Sequence, residues 1–321
     1  MYQAETSYLA TPDFMATTLH ILASIELPVI SFGGYCILFK TPSQMKPVKW
    51  HLLNLHLWTA VSDVVLCFLG IPYILLPTMA GWGLGALYAP GLLFYLCVTL
   101  HAVLAASVVA IYENRFYCIH GWKTVWSRFR KPTMMGLYLL VPFMFLPPYF
   151  FEPDQPFARL VVRETLPCLS PYTYDNYPMY VLSLDYKIPF LCILISGLTL
   201  FGFAMLFFLL TIWKTLSNTV SRSQKTQNLQ LKFAFAMLLQ SLFLFGVICV
   251  PVCLGLGTII FWYHSQVLNN IIFITLSFHG VGSTLVMLFV HKPYREFTYS
   301  VFYIPSKTED RRKLHLSSTM M

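Results

Sequence analysis

At 321 residues, 57% hydrophobic and 11% charged, this chain is too apolar for a soluble globular protein, in which about a quarter of residues carry charge. Its net charge of +8 would suggest a nucleic-acid partner in a soluble protein; here it gathers on one rim of a membrane protein, and no nucleic acid is expected. Seven apolar runs with short connections use almost the whole length, which excludes a separate soluble domain.

The first run reads from Thr17 to Phe39 and stops at Lys40-Thr41-Pro42. The second spans Trp50 to Leu76, closed by Pro77, and the connection Thr78–Tyr88 has no charge. The third, Ala89 to Tyr112, ends in Glu113-Asn114-Arg115 and opens the densest basic loop, with Lys123, Arg128, Arg130 and Lys131. The fourth runs from Pro132 to Phe151, and Pro142 with Pro147-Pro148 predicts a bent half. A long connection rich in Pro, Tyr and acids follows, from Glu152 to Lys187. The fifth, sixth and seventh runs are Ile188–Trp213, Phe233–Phe261 and Val267–His291. Each exceeds the roughly 20 residues needed to cross a bilayer. Beyond them Phe297, Val301 and Ile304 recur at helical spacing beside Arg295 and Glu296, which predicts a short amphipathic helix lying on the membrane surface.

Basic residues occupy every second connection. With the N-terminus outside, only Arg159, Arg163 and Lys187 of the 21 Lys and Arg fall on the outer face. Lys/Arg bias in short loops sets orientation during insertion, so an odd number of spans puts the C-terminus in the cytoplasm. The expected fold is an all-α seven-transmembrane bundle, with an outer tail (1–16), the bundle (17–291) and a cytoplasmic helix and tail (292–321). Residues 1–16 contain no Lys or Arg and no cleavage pattern follows, so the first span is expected to act as its own insertion signal.

Four segments carry a resemblance: Ser24-Ile25-Glu26-Leu27-Pro28 with Tyr35 to Pro42, Trp50 to His56, Tyr112 to Phe116, and His291-Lys292-Pro293-Tyr294-Arg295-Glu296-Phe297. In order and depth they resemble nematode serpentine receptors of class H (Srh), within the Str superfamily of chemosensory receptors. The box just past the seventh span is the most specific. The resemblance implies a G-protein-coupled chemoreceptor of sensory-neuron cilia. Its partners would be a small odorant or metabolite and a heterotrimeric G-protein α subunit, with membrane lipid around it and no cofactor.

The same resemblance, extended to rhodopsin-like receptors, implies roles. Glu113 and Arg115 stand where that family places an acid and an arginine, here separated by Asn114; they read either as an activation lock or as an interfacial pair with Arg115 reaching headgroups. Tyr294 and Arg295 would join them in coupling. Pro251, within Cys249 to Cys253, kinks the sixth span and would be its pivot, or a static bend. Glu26, Asp63, His279 and Ser283 are expected as an intramembrane polar cluster, functional or structural. Analogy puts the ligand near Tyr95, Thr99, Thr258, Trp262, Asn270 and Thr275, any of which could equally be packing residues. The apolar surroundings suit a small, weakly polar ligand. Cys97 and Cys168 are implied as a disulfide by family pattern, and His101 reads as a satisfied interior histidine.

Rival readings fare worse. No phosphate-binding glycine loop, His-Glu-x-x-His or serine elbow supports an enzyme, and the Cys249/Cys253 pair lacks the further ligands of a metal site. Val267–His291 has no lysine for a retinal Schiff base. A small-molecule or ion-coupled transporter is the surviving alternative, with Glu26, Asp63 and His279 as its ion path.

Overall fold

The computed structural model describes residues 7–87, 89–166, 178–217 and 224–302. Among the described residues, seven helices are long and apolar enough to cross a membrane: Pro12–Phe39, Lys46–Gly70, Pro90–Ile119, Trp126–Phe150, Lys187–Thr215, Phe235–Ile260 and Gln266–Val290. The third runs through the middle, with Leu104, Ala106, Val108 and Val109 buried against neighbours on several sides.

Local chemistry explains several ends. The first span starts where Thr11 accepts a hydrogen bond from the Phe14 amide (3.2 Å), with Pro12 in the first turn and Asp13 facing the helix dipole. Ser265 caps the seventh span in the same way, through the Leu268 amide. The third helix continues two turns past Tyr112 to Ile119, so Glu113 and Arg115 lie within it. The fourth begins at Trp126 and is regular to Phe143; after Pro142 it restarts at Pro147, which is the bend its prolines predict.

The second span departs from its hydropathy. Its apolar run continues to Leu76, yet the helix ends in a π-helical turn, Val65–Gly70, and Ile71 takes a left-handed φ of 44°. The chain then reverses into a hairpin, β1 (Pro72–Ile74) and β2 (Met79–Gly83), registered Tyr73 opposite Trp82. Strand β3 (Tyr180–Ser183), from the long connection, adds to the other edge of β2. An uninterrupted apolar run does not distinguish a buried strand from a helix. A further helix in that connection, Gln155–Thr165, is capped by Asp154 and holds β3 through Gln155, which both donates to and accepts from Val181 (2.9 and 3.0 Å).

At the opposite end, Lys292–Phe302 forms the short amphipathic helix. Phe297 stacks on Phe32 of the first span (6.0 Å, 13°), and the Lys40 ammonium lies 4.3 Å from its ring centre. Ile304, the last member of the expected apolar face, lies outside the described residues.

Candidate functional site

A cavity of about 470 Å³ lies between the third, fourth, fifth, sixth and seventh spans below the sheet. Such a volume falls within the ~300–1,000 Å³ typical of small-molecule sites. Its walls are almost wholly apolar: Phe94 and Val98, Phe145, Cys192 and Ile193, Phe245 and Ile248. Pro251, the proline inside the sixth span, is part of the wall. Ile74, Leu76, Met79 and Leu182 close it at the sheet end.

That roof is tied down by hydrogen bonds. The Leu76 carbonyl accepts from Asn269 Nδ2 (3.1 Å) and meets His264 Nδ1 at 2.6 Å, while the Ile74 carbonyl accepts from Gln266 Nε2 (3.3 Å). Tyr73 Oη donates to the Ala10 carbonyl, and Trp82 packs on Tyr73 with no exposed surface.

None of the six residues expected at the ligand lines this cavity. Tyr95 Oη donates to the Pro142 carbonyl (3.1 Å), Thr258 and Thr275 donate to helix carbonyls one turn back, and Asn270 bridges Gln266 and the Leu9 carbonyl. Thr99 is buried, and Trp262 sits exposed in the connection to the seventh span with φ 51°. A short polar side chain in a membrane helix meets its own backbone more readily than a pocket. Conversely, His101 does line the cavity: its Nδ1 contacts the Cys97 carbonyl (2.6 Å), and its Nε2 has no hydrogen-bond partner among the described residues. Being the single histidine of the third span was the available signal. Cys97 is a free thiol on the cavity wall, and Cys168 lies outside the described residues.

Glu26, Asp63, His279 and Ser283 are all buried. The seventh helix breaks at Phe278, and the break brings His279 Nδ1 to 3.5 Å from Asp63 Oδ1 while it also contacts the Leu276 carbonyl (2.7 Å). Glu26 lies against Cys67, and the His101 and His279 rings are 5.4 Å apart. Gly280 permits this approach, since a Cβ there would run into the Asp63 carboxylate. Neither Asp63 oxygen has a hydrogen-bond partner among the described residues.

At the basic end Glu113 is 1% exposed and its carboxylate is fully engaged. Trp126 Nε1 donates to it (2.8 Å), as does Arg130 Nη2 (3.0 Å), both from the fourth span. Arg130 also donates to Asn114 Oδ1 (3.0 Å) and lies 3.9 Å from the centre of the Tyr117 ring. Arg115 stands two residues along, about 200° round the helix from Glu113, a spacing at which side chains do not face one another. Tyr294 has no exposed surface; its hydroxyl pairs with Thr41 (2.8 Å), and burial raises its phenol above the ordinary range. Arg295 donates to the Phe289 carbonyl (3.2 Å). Nearby His291 is 2% exposed, 3.3 Å from Gln240 Oε1, and burial lowers its pKa to about 4.

Sequence comparison bears on all of this. The profile of the family described as "Serpentine type 7TM GPCR chemoreceptor Srh" matches residues 10–304. Serpentine receptor class H-72 of Caenorhabditis elegans is 27% identical over 306 residues, 92% of this chain and 87% of that protein. Seven membrane-spanning helices, the amphipathic helix after them and a match over nearly the whole length agree: the chain belongs to the Srh family of serpentine seven-transmembrane chemoreceptors.

Proposed function

We propose that this receptor binds a small, weakly polar molecule in the cavity of the third to seventh spans and activates a heterotrimeric G protein from its basic end. The carrying observation is the cavity, an apolar space of about 470 Å³ with Pro251 in its wall. A ligand that fits one sixth-span bend better than another shifts the balance between them by its differential affinity, and no more is required of it. The Lys/Arg asymmetry supports an outer N-terminus and roof, with the basic connections and Lys292–Phe302 in the cytoplasm. There Glu113 with Arg130, Arg115 and Arg295 rim the cleft that an α subunit would enter, and the basic residues attract anionic lipid and acidic partner surfaces. Display on sensory-neuron cilia follows from the family's chemosensory character.

The test is nucleotide exchange on a G protein in cells expressing the receptor, screened against small odorants and excreted metabolites. A ligand-dependent response is expected, lost in Ala105→Trp, which fills the cavity, and in Arg115→Ala, with surface expression retained in both. A response unaffected by Ala105→Trp removes the cavity from the mechanism. Ion-dependent flux in proteoliposomes without nucleotide exchange would replace the receptor reading with a transporter.

A further inference from the structure

We infer that the ligand is a lipophile dissolved in the bilayer, and that it enters the cavity sideways, between the fifth and sixth spans. The inference rests on the cavity being the ligand site. It starts from which wall residues reach the surface of the bundle. The exposed ones are Leu194, Gly197, Leu198, Phe201, Cys249 and Cys253, and every one belongs to the fifth or sixth span. Leu198, at 64%, is both cavity wall and bundle surface.

Among the described residues the sheet end offers no comparable route. Ile74, Leu76, Met79 and Leu182 are each 8% exposed or less, and the hydrogen bonds to the Ile74 and Leu76 carbonyls hold that turn in place. A water-borne ligand would have to break this roof. At the other end the fifth and sixth spans meet edge to face through Phe201 and Phe245 (5.7 Å), which closes the gap below. Between roof and aromatic contact, Gly197 and Leu198 of the fifth span and Cys249 and Cys253 of the sixth are both cavity wall and bundle surface, and a side chain at Gly197 would meet nothing within 4 Å. These helices face hydrocarbon, so the gap opens into lipid.

The chemistry of the walls selects the same ligand. A polar group entering this cavity without a partner would forfeit roughly 2–7 kcal/mol of hydration. Each methylene favours the bilayer over water by about 0.8 kcal/mol, which concentrates a lipophile about fourfold per carbon at the gap.

The experiment uses the full chain in phosphatidylcholine nanodiscs and a solvatochromic naphthyl ketone as probe, followed by stopped-flow fluorescence. Lateral entry predicts that the observed rate follows the probe's mole fraction in the bilayer, and so rises at a fixed free aqueous concentration in a lipid composition that takes up more probe, whereas entry through the roof leaves it unchanged. Gly197→Trp, placed in the gap, should slow association and dissociation together by about tenfold, because an obstructed route raises the barrier and leaves the bound state alone. Leu198→Trp should do the same, guarding against a folding defect in the first variant. Asn269→Ala, which unties the roof at the Leu76 carbonyl without touching the cavity wall, should leave both rates unchanged. Faster binding in Asn269→Ala with no effect of either tryptophan would overturn lateral entry and leave the cavity as the site. Absence of probe binding to folded protein, or binding insensitive to Ala105→Trp, would remove the cavity reading and the route together.

Discussion

The second, third and seventh spans form one region of the bundle and the fourth, fifth and sixth another, and the two differ in burial; the first span, 22% buried, matches the second region in burial although it packs on the second and seventh spans. In the first group 50%, 56% and 61% of each span's apolar window is buried; in the second group the shares are 17%, 22% and 28%. Yet the fifth and sixth spans are the most apolar of all, with mean hydropathy 2.5 against 1.7 and 1.9 for the second and seventh. In water that order would be inverted. In a bilayer an apolar side chain gains little by leaving lipid, so helices associate through close packing and polar contacts. The packed region has those contacts. Asn54 donates to Ser107 (3.1 Å) and Tyr138 (2.8 Å), and Tyr138 to Ser107 (3.0 Å), joining the second, third and fourth spans. His56 meets the Ile30 carbonyl at 2.9 Å, linking the second span to the first. The fifth and sixth spans have fewer such ties among the described residues, and both line the cavity. A receptor needs both: a fixed frame, and helices loosely enough held to have two arrangements.

The link between the regions is the most sensitive target. Glu113→Ala should cost about 3–5 kcal/mol, because it strands the largely buried Arg130 guanidinium and the Trp126 indole without their acceptor. Thermal unfolding of purified receptor measures it, and a loss under about 1 kcal/mol would mean that this end is held by packing alone. Inside the frame, Gly280→Leu should cost about 3 kcal/mol through collision with Asp63, read as lost surface expression and a lower Tm.

The pH dependence of the frame follows from His291. Its pKa is lowered from 6.5 to about 4 by burial, so between these values the unfolded chain binds a proton that the folded receptor refuses. Stability is therefore complete above pH 6.5 and is lost as pH falls towards 4, by up to roughly 3 kcal/mol. His291→Asn should flatten that part of the Tm profile relative to wild type; an unchanged profile would assign the acid sensitivity elsewhere.

The smallest effect belongs to the apolar region. Gly202→Leu, on the fifth span with no atom within 4 Å of the added Cβ, should change stability by less than about 0.5 kcal/mol. A penalty comparable to that of Gly280→Leu would abolish the distinction between frame and loose helices.

Legibility in the sequence divided along the same lines. The spans, their number and the amphipathic helix after them were readable because hydrocarbon thickness sets a minimum apolar length and a helical face repeats at 3.6 residues. The family was readable from short ordered motifs, and the buried Glu26, Asp63 and His279 from the cost of charge in a bilayer. The roof was not, because Pro72 to Gly83 is as apolar as the helix before it, and only pairing with β3 from a distant connection makes it a sheet. Nor was the partner of Glu113: helical spacing turns Arg115 to another face, but which cation returns to the carboxylate depends on where the fourth span packs. The cavity wall was the least legible part. Polar residues draw attention in an apolar sequence, while this wall is made largely of apolar residues such as the Phe and Leu present in every span. Composition and periodicity thus determined that the chain crosses the membrane seven times, since those are properties of each segment alone. Where space remains between the helices was decided by the tertiary structure, since a void belongs to no segment.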